Sequence, residues 1–168
     1  ISECLVGSEM CIRDRWNTMR ARHCNWVRLR DRKSGAEFRV LDIHLDHKSD
    51  DARREQMKMI VGECAQYADG FPQIICGDFN SGIENAPVAC LRDAGWQEAY
   101  EAVHGPGEAG FTYHGFKGPD YRKKNARRID FIFVRGNLQP VAAEILRDKV
   151  DGLYPSDHYF LMSDFIIQ

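Results

Sequence analysis

Four short polar clusters interrupt the apolar pattern of the chain, and each lies next to a run of apolar residues. They are His44–His47, Gly77–Asn80, Arg128–Asp130 and Ser156–His158. Any one of them is weak evidence of a site, because turns and helix caps use the same residue types. Their recurrence is stronger evidence, since carboxylates and imidazoles at the ends of several strands can converge on one cleft.

Carboxylates and histidines in this combination suit the hydrolysis of a phosphate ester. Carboxylates hold a divalent metal that neutralises the phosphate and the leaving oxygen. A carboxylate or an imidazole removes a proton from the attacking water, and further donors stabilise the charge that builds on the non-bridging oxygens. A carboxylate that orients a histidine also raises its pKa, and Asp130 and His158 are candidates for such a pair.

Predicted strands position these clusters. Residues 25–31 and 36–45 predict two strands joined by a hairpin turn at 33–35. Alternation within the second strand places His44 on the face opposite Ile43. An apolar strand that ends in polar side chains in this way predicts a buried strand that opens onto a site.

The remaining elements predict a mixed α/β domain. The clearest helix spans residues 50–68, where Ser49 can cap the amino terminus and apolar residues recur at helical spacing. We assign that apolar stripe to core packing. The other predicted elements are strands at 73–76, 129–134, 141–146 and 159–166, a helix at 86–94, and a long loop at 104–128.

The predicted loop at 104–128 concentrates positive charge. Its basic residues towards the carboxyl end are Lys117, Arg122, Lys123, Lys124, Arg127 and Arg128. A long loop inside a compact domain is often functional, and a basic loop beside a phosphate site can contact the substrate, with binding that weakens in salt. A solvated loop without a ligand accounts for the same residues, so both interpretations stay open.

Length and composition restrict the class of protein. The 168 residues suffice for one compact domain. A net charge of −2 argues against general polyanion binding, so any phosphate site must come from local patches. The apolar runs fall short of the ~20 residues that a membrane helix needs. The 6 cysteines lack CxxC or zinc-type spacing, which predicts free thiols in a reducing compartment. No obligate protein partner is evident.

The motifs in order resemble those of the endonuclease/exonuclease/phosphatase superfamily, whose fold is that of DNase I. The similar segments are IHLDH at 43–47, GDFN at 77–80, FTYHGFKG at 111–118, RIDFIFV at 128–134 and YPSDH at 154–158. The similarity runs from about Trp16 to the end and is greatest to bacterial members. It implies a four-layer α/β sandwich of two mainly antiparallel sheets with helices outside, and a metal-dependent phosphoesterase that uses Mg²⁺ or Mn²⁺.

The resemblance also implies roles for the acidic residues and their neighbours. Asp78 would orient or activate the attacking water and help to bind the metal. Asn80 would hold the substrate phosphate and orient Asp78. Asp157 would bind the metal directly or would contact the residues that bind it. Asp46 matches the motif as well, without a clear role.

Further roles follow for the histidines and the basic residues. His158, supported by Asp130, would donate to a phosphate oxygen, and His44 would stabilise the transition state or assist the leaving group. Arg128 and Lys117 are predicted to contact the substrate from the basic loop. For His47, which also matches the motif, a structural role is as well supported as a catalytic one.

Two departures from the family pattern bear on activity. The first cluster of the family usually has Asn at the position of Asp42, which would alter hydrogen bonding at the cleft floor. In addition, the amino-terminal part of the family supplies an Asn and a metal-binding Glu. Residues 1–15 contain Glu3 and Glu9, but the sequence around them does not match the family segments that carry this Asn and Glu. We therefore expect the amino-terminal part of the domain to be missing and activity to be impaired.

Residues 1–15 resemble translated sequencing-adaptor text, with neither strand alternation nor a helical stripe. We expect a non-native or disordered leader at 1–15 and a truncated family domain at 16–168. A sheet without its amino-terminal strands has an open edge and exposed apolar surface, which predicts association of the chain.

Two other classes of function stay open. The H-x-H-x-D-H zinc cluster of metallo-β-lactamase-type hydrolases resembles residues 44–47, but it needs His where the chain has Asp42. The chain can also be a non-catalytic fragment or a binding module that keeps part of the cleft. Within the family, the substrate is a nucleic acid, a phospholipid head group or an inositol phosphate, because the core motifs handle phosphate and the loops select the rest.

Overall fold

A computed structural model describes the residues 2–12, 16, 18, 21–107, 110–121, 124 and 126–168, with the backbone alone for 2–12. The strands are β1 (Ser2–Ile12), β2 (Arg22–Asp31), β3 (Glu37–His44), β4 (Gln73–Asp78), β5 (Gln97–Glu98), β6 (Asp130–Arg135), β7 (Leu138–Leu146) and β8 (Phe160–Ile167). The helices are α1 (Asp50–Cys64), α2 (Ala86–Asp93) and α3 (Ala99–His104), with a single 3-10 turn at Gly118–Asp120.

The strands form two sheets. The larger has the order β1-β2-β3-β4-β6-β5, and the smaller consists of β7 and β8. All neighbouring strands are antiparallel except β3 and β4, which are parallel and are connected through α1. That connection is required because parallel neighbours need a crossover long enough to return the chain to the same end of the sheet. The predicted α/β class with two mainly antiparallel sheets is confirmed.

The core lies between the larger sheet and the helices α1 and α2. Alternate residues of β3 and β4 point into it, including Leu41, Ile43 and Ile75, and α1 contributes Met57 and Ile60. All five side chains are buried, as the apolar stripe at helical spacing predicted. The opposite face of β3 carries the polar residues that alternation assigned to it.

The strand register aligns the polar ends of β3, β4 and β6. His44 of β3 pairs with Asp78 of β4, and Asp78 pairs in turn with Asp130 of β6. Paired residues on neighbouring strands have their side chains on the same face. Three of the predicted site residues are therefore neighbours as a direct result of strand pairing.

Gly77 permits the close approach of β3 and β4 just before the site. Its φ is +134°, which side-chain-bearing residues rarely adopt, and a Cβ there would lie 2.0 Å from the carbonyl oxygen of Ile43. That distance is far below van der Waals contact, so only glycine fits.

Two segments after β2 differ from the sequence predictions. Helix α1 ends at Cys64 rather than at residue 68, because Ala65 closes the helix and the next residues form a turn. Residues 97–104 form β5 and α3. The sequence analysis assigned no element to 97–103 and placed residue 104 in the predicted loop. A six-residue helix has weak intrinsic stability, and α3 depends on a tertiary contact, since Glu98 accepts the Glu101 N–H while paired with Arg128.

The first strand also differs from the expectation of an irregular leader. Backbone pairing joins β1 to β2 in antiparallel register. Such pairing uses main-chain groups and does not require the side-chain alternation that the sequence lacks. The domain boundary at residue 16 and the foreign origin of residues 1–15 stay predictions.

The smaller sheet has an apolar outer surface, and in the described part of the chain each of its two strands has one unpaired edge. Phe160, Met162 and Ile166 of β8 are exposed on that surface, as is Val141 of β7. Strand β8 pairs only with β7 among the described strands. Separately, none of the described helices is long and apolar enough to cross a membrane.

Replacement of Gly77 by alanine tests the close approach of β3 and β4. Gly35→Ala is the control, because Gly35 also has a positive φ but no atom within 4 Å of an added Cβ. We expect Gly35→Ala to lower the free energy of unfolding by about 1–2 kcal/mol and Gly77→Ala to cost clearly more, measured by urea denaturation. Equal losses for the two variants would show that the steric argument is wrong.

The exposed surface of β8 predicts self-association, because an unpaired strand edge with apolar side chains binds other chains. We expect the chain to sediment as species larger than a monomer, and Met162→Lys to shift the distribution towards monomer. Met59→Lys, the same change at an exposed residue of α1, is the control for altered surface charge elsewhere. A monodisperse monomer before any substitution would contradict the prediction.

Candidate active site

Asp78, Asp130 and His158 form a cluster at the carboxyl end of β4. One ligand atom from each lies within 4.8 Å of the others. His44 borders the cluster, with its Nε2 3.4 Å from Oδ2 of Asp78. The structure thus brings together four residues that the sequence placed on four different segments.

The turn after β4 orients Asp78 and Asn80. The Asn80 N–H donates to Oδ1 of Asp78 at 2.7 Å, and the Asn80 side-chain amide donates to the carbonyl of Leu45 at 3.1 Å. Asn80 has a φ of 48°, a left-handed conformation that Asn tolerates better than most residues. Phe79 anchors the turn because its buried ring packs edge-on against Phe131 at 5.2 Å. These contacts fix the Asp78 carboxylate relative to the sheet.

His158 and Asp130 form the predicted pair. The His158 Nδ1 lies 2.8 Å from Oδ2 of Asp130. The His158 N–H donates to the Ser156 hydroxyl at 3.1 Å, and the Tyr113 ring contacts the imidazole at 5.1 Å. With Nδ1 bound to a carboxylate, Nε2 is left to face a ligand.

Burial and mutual charge shift the protonation of these groups. Burial, and then the neighbouring Asp130 carboxylate, raise the pKa of Asp78 to about 6. The hydrogen bond to Asp130 raises the pKa of His158 above its ordinary value. Burial, followed by the charge of Arg22, lowers the pKa of His44. Near neutral pH the site therefore holds an Asp78 that titrates close to that range and a His158 that retains its proton more strongly than a free imidazole.

The two carboxylates of the cluster fit a divalent metal, and His158, whose Nδ1 is bound to Asp130, lies beside them as a hydrogen-bond donor. Mg²⁺ and Mn²⁺ bind through one or two carboxylates and keep several waters, and Asp78, Asp130 and His158 are all partly exposed. The raised pKa of Asp78 reflects desolvation and repulsion from Asp130. A cation between the two carboxylates would relieve that repulsion.

Asp157, predicted as a metal ligand, is not a member of the cluster found among the described residues. Its carbonyl oxygen accepts the N–H groups of His114 and Gly115 at 2.8 and 3.0 Å. Through these bonds the backbone of Asp157 joins the loop at 110–121 to the SDH motif. Its role as a ligand stays a proposal.

Arg128 differs from the prediction of a substrate contact. Only 2% of it is exposed, and its guanidinium makes a two-point ion pair with Glu98 at 3.1 and 3.2 Å. The ring of Phe131 also packs against it, 4.7 Å away. The sequence could not show this, because Glu98 lies outside all five of the motif segments. Arg128 stabilises the start of β6 from behind the site.

Asp46 has a structural function in the fold. It is fully buried, and its Oδ1 accepts the N–H groups of Lys48 and Ser49 at 2.8 Å each. It therefore closes the turn between β3 and α1. The side chain of Lys117 is exposed and lines a shallow depression with Phe116 and Lys149. Arg122 and Lys123 of the basic loop lie outside the described residues.

Arg22 is a site residue that the sequence analysis missed. Its Nη2 lies 3.0 Å from Nδ1 of His47, and its charge acts on His44 and Asp78. The antiparallel pairing of β2 with β3 in the hairpin is the feature that indicates this position. Strand β2 is antiparallel to β3, with Cys24 opposite Ile43, so the start of β2 must lie beside the end of β3.

Comparison with known proteins supports a family assignment. The model of the Endonuclease/Exonuclease/phosphatase family matches residues 8–158, which contain every motif described above. The match begins within the first fifteen residues. No curated protein sequence matches the chain.

Solved structures show the same fold. An endonuclease/exonuclease/phosphatase from Bacteroides vulgatus is 21% identical, with a TM-score of 0.86 over 99% of this chain and 67% of its own. A mannosyl-6-phosphatase from Bacteroides thetaiotaomicron is 20% identical, with a TM-score of 0.85 over 98% and 67%. TDP2 from D. rerio, complexed with single-strand DNA product, is 20% identical, with a TM-score of 0.79 over 98% and 68%. The chain thus spans about two thirds of the length of these structures.

Replacement of Asp78 by asparagine tests its electrostatic environment. The pKa of Asp78 is about 6 in the folded chain, above its ordinary 3.8, so the folded state holds the proton more tightly and loses stability as pH rises through that interval. In EDTA, Asp78→Asn should raise the free energy of unfolding by up to about 3 kcal/mol at pH 8, and by under about 1 kcal/mol at pH 4.

Urea denaturation at the two pH values measures this difference. The matched control is Asp164→Asn, because Asp164 is an exposed residue of β8 and its substitution should change stability little at either pH. A loss of stability in Asp78→Asn at pH 8 would mean that the Asp78 carboxylate is stabilised in the folded chain.

Proposed function

Because this chain belongs to the endonuclease/exonuclease/phosphatase family, we propose that it carries the phosphate-handling site of a divalent-metal-dependent phosphoesterase. The observation that carries the proposal is the cluster of Asp78, Asp130 and His158, whose ligand atoms lie within 4.8 Å of one another. Each residue comes from a different family motif. A bound Mg²⁺ or Mn²⁺ would supply charge neutralisation for the phosphate.

The proton chemistry follows from the hydrogen bonds of the site. Asp78, held by the Asn80 N–H at 2.7 Å, is the proposed acceptor of the proton from the attacking water. His158 donates to a phosphate oxygen through Nε2, while Asp130 binds Nδ1. His44 lies on the other side of Asp78, where it can donate to the charge that develops in the transition state.

The substrate is proposed as a phosphate ester of a nucleic acid, a phospholipid head group or an inositol phosphate. The family fold does not select among them: one structure of this fold is described as a mannosyl-6-phosphatase and another has single-strand DNA product bound. Asn80 and the exposed Lys117 are the proposed substrate contacts. Arg128 is not among the proposed substrate contacts, because its guanidinium is already paired with Glu98.

Activity of this chain is proposed to be weak. The resemblance assigns one metal-binding Glu to an amino-terminal part of the domain, and the chain spans 67% of the length of the Bacteroides vulgatus structure. Asp78 and Asp130 alone give the metal fewer charged ligands than the family pattern provides. The alternative is a non-catalytic module that binds metal and phosphate without turnover.

Metal binding and turnover test the proposal separately. Calorimetric titration with Mn²⁺ should show binding that Asp78→Ala abolishes and that Asp164→Ala retains. Hydrolysis of bis(p-nitrophenyl) phosphate and p-nitrophenyl phosphate should require the metal and fall to background in Asp78→Ala, since loss of the base costs about 10²-fold or more.

Each outcome has one consequence. Failure to bind Mn²⁺ would refute the metal site, and binding without turnover would favour the non-catalytic module. Turnover near the ~10 s⁻¹ that is typical of enzymes would refute the proposed impairment. A phosphoester panel, run on the chain with an upstream family segment added, would then identify the substrate class.

A further inference from the structure

The pair of Asp130 and His158 joins two segments that are distant in the chain. Asp130 begins β6, whereas His158 precedes β8 by two residues. Strand pairing with β4 positions Asp130. His158 lies outside the described strands, and an isolated backbone bridge joins it to Tyr113. Some other contact must hold the 2.8 Å separation between the two side chains.

Thr112 contacts both segments. Its hydroxyl oxygen accepts the N–H of Ile129 at 3.0 Å and that of Asp130 at 3.3 Å. Its carbonyl accepts the N–H of Tyr159 at 2.9 Å. One residue therefore binds the backbone of Asp130 with its side chain and the backbone next to His158 with its main chain.

The environment of Thr112 makes these contacts rigid. The residue is fully buried, so loss of its hydroxyl cannot be compensated directly by solvent. The Ile129 carbonyl accepts the Phe79 N–H at 2.9 Å. Ile129 therefore links Thr112 to the turn that carries Asp78 and Asn80. Strand β5 pairs with β6 only at Phe133 and Val134. On that edge, the N–H groups at the start of β6 therefore bond to Thr112 of the loop at 110–121 instead of to a strand.

We propose that Thr112 is a positioning residue that sets the geometry of the hydrogen bond between Asp130 and His158. Its hydroxyl binds the backbone of Asp130, and its carbonyl binds the backbone beside His158, so one residue links the two segments whose side chains form the pair. This positioning is a property of the folded chain, and its effect on catalysis rests on the proposed function.

Two substitutions separate positioning from general stabilisation. Thr112→Val keeps the shape of the side chain but removes the hydroxyl acceptor, and Thr112→Ser keeps the acceptor. Val88→Ala is the control for stability, because Val88 is a fully buried core residue of α2 and its truncation leaves a cavity without removing a hydrogen bond. A structural role alone would make Thr112→Val resemble Val88→Ala.

Proton NMR of the metal-free chain gives a readout that does not require turnover. A histidine N–H bound to a carboxylate has a downfield, slowly exchanging resonance, and His158→Gln identifies the signal of this pair. We expect Thr112→Val to lose or shift that resonance and to speed exchange of the Asp130 amide about tenfold, with the remaining spectrum folded. Thr112→Ser and Val88→Ala should both retain the signal.

The possible results are distinct. Retention of the His158 signal in Thr112→Val, or its equal loss in Val88→Ala, would overturn the proposal, as would failure of Thr112→Ser to preserve it in a folded chain. If Thr112→Val does not fold, Thr112→Ser and Thr112→Ala are compared in the same way. Where turnover is measurable, kcat should fall in Thr112→Val with little change in KM. Absence of turnover would count against the proposed function and leave the NMR result intact.

Discussion

The site depends on the register of three neighbouring strands. Parallel pairing of β3 with β4 and antiparallel pairing of β4 with β6 place His44, Asp78 and Asp130 in one row. A shift by one residue would turn Asp78 to the opposite face of the sheet. The core side chains oppose such a shift, because Ile75 and its neighbours would then leave the interior. Core packing therefore also specifies the geometry of the candidate site.

The same arrangement creates the electrostatic problem of the site. Two carboxylates on adjacent strands repel each other, and burial adds to the cost of charging Asp78. The structure reduces that cost in part, through the imidazole of His158 and the N–H of Asn80. The remaining cost is what a divalent cation can offset, so the proposed affinity for metal and the unfavourable charge in the metal-free chain have one origin.

The sequence was most informative where backbone periodicity decides the structure. The strands that carry His44, Asp78 and Asp130 were predicted within a few residues, because alternation and motif position are local properties. Contacts across the sheet could not be predicted in this way. Arg128 has a charge suited to phosphate, yet its partner Glu98 lies thirty positions away. For Arg22, by contrast, the hairpin register already implied a place at the site.

The ion pair between Arg128 and Glu98 has an evolutionary consequence. Both side chains are almost completely buried, and Glu98 also caps α3. Loss of either partner leaves a charge in the interior without compensation, at a cost of about 3–5 kcal/mol, although a well-packed apolar pair at the same positions can be neutral. Substitution at one position is therefore tolerated only together with a change at the other, and the two codons should drift as a unit among descendants of this sequence.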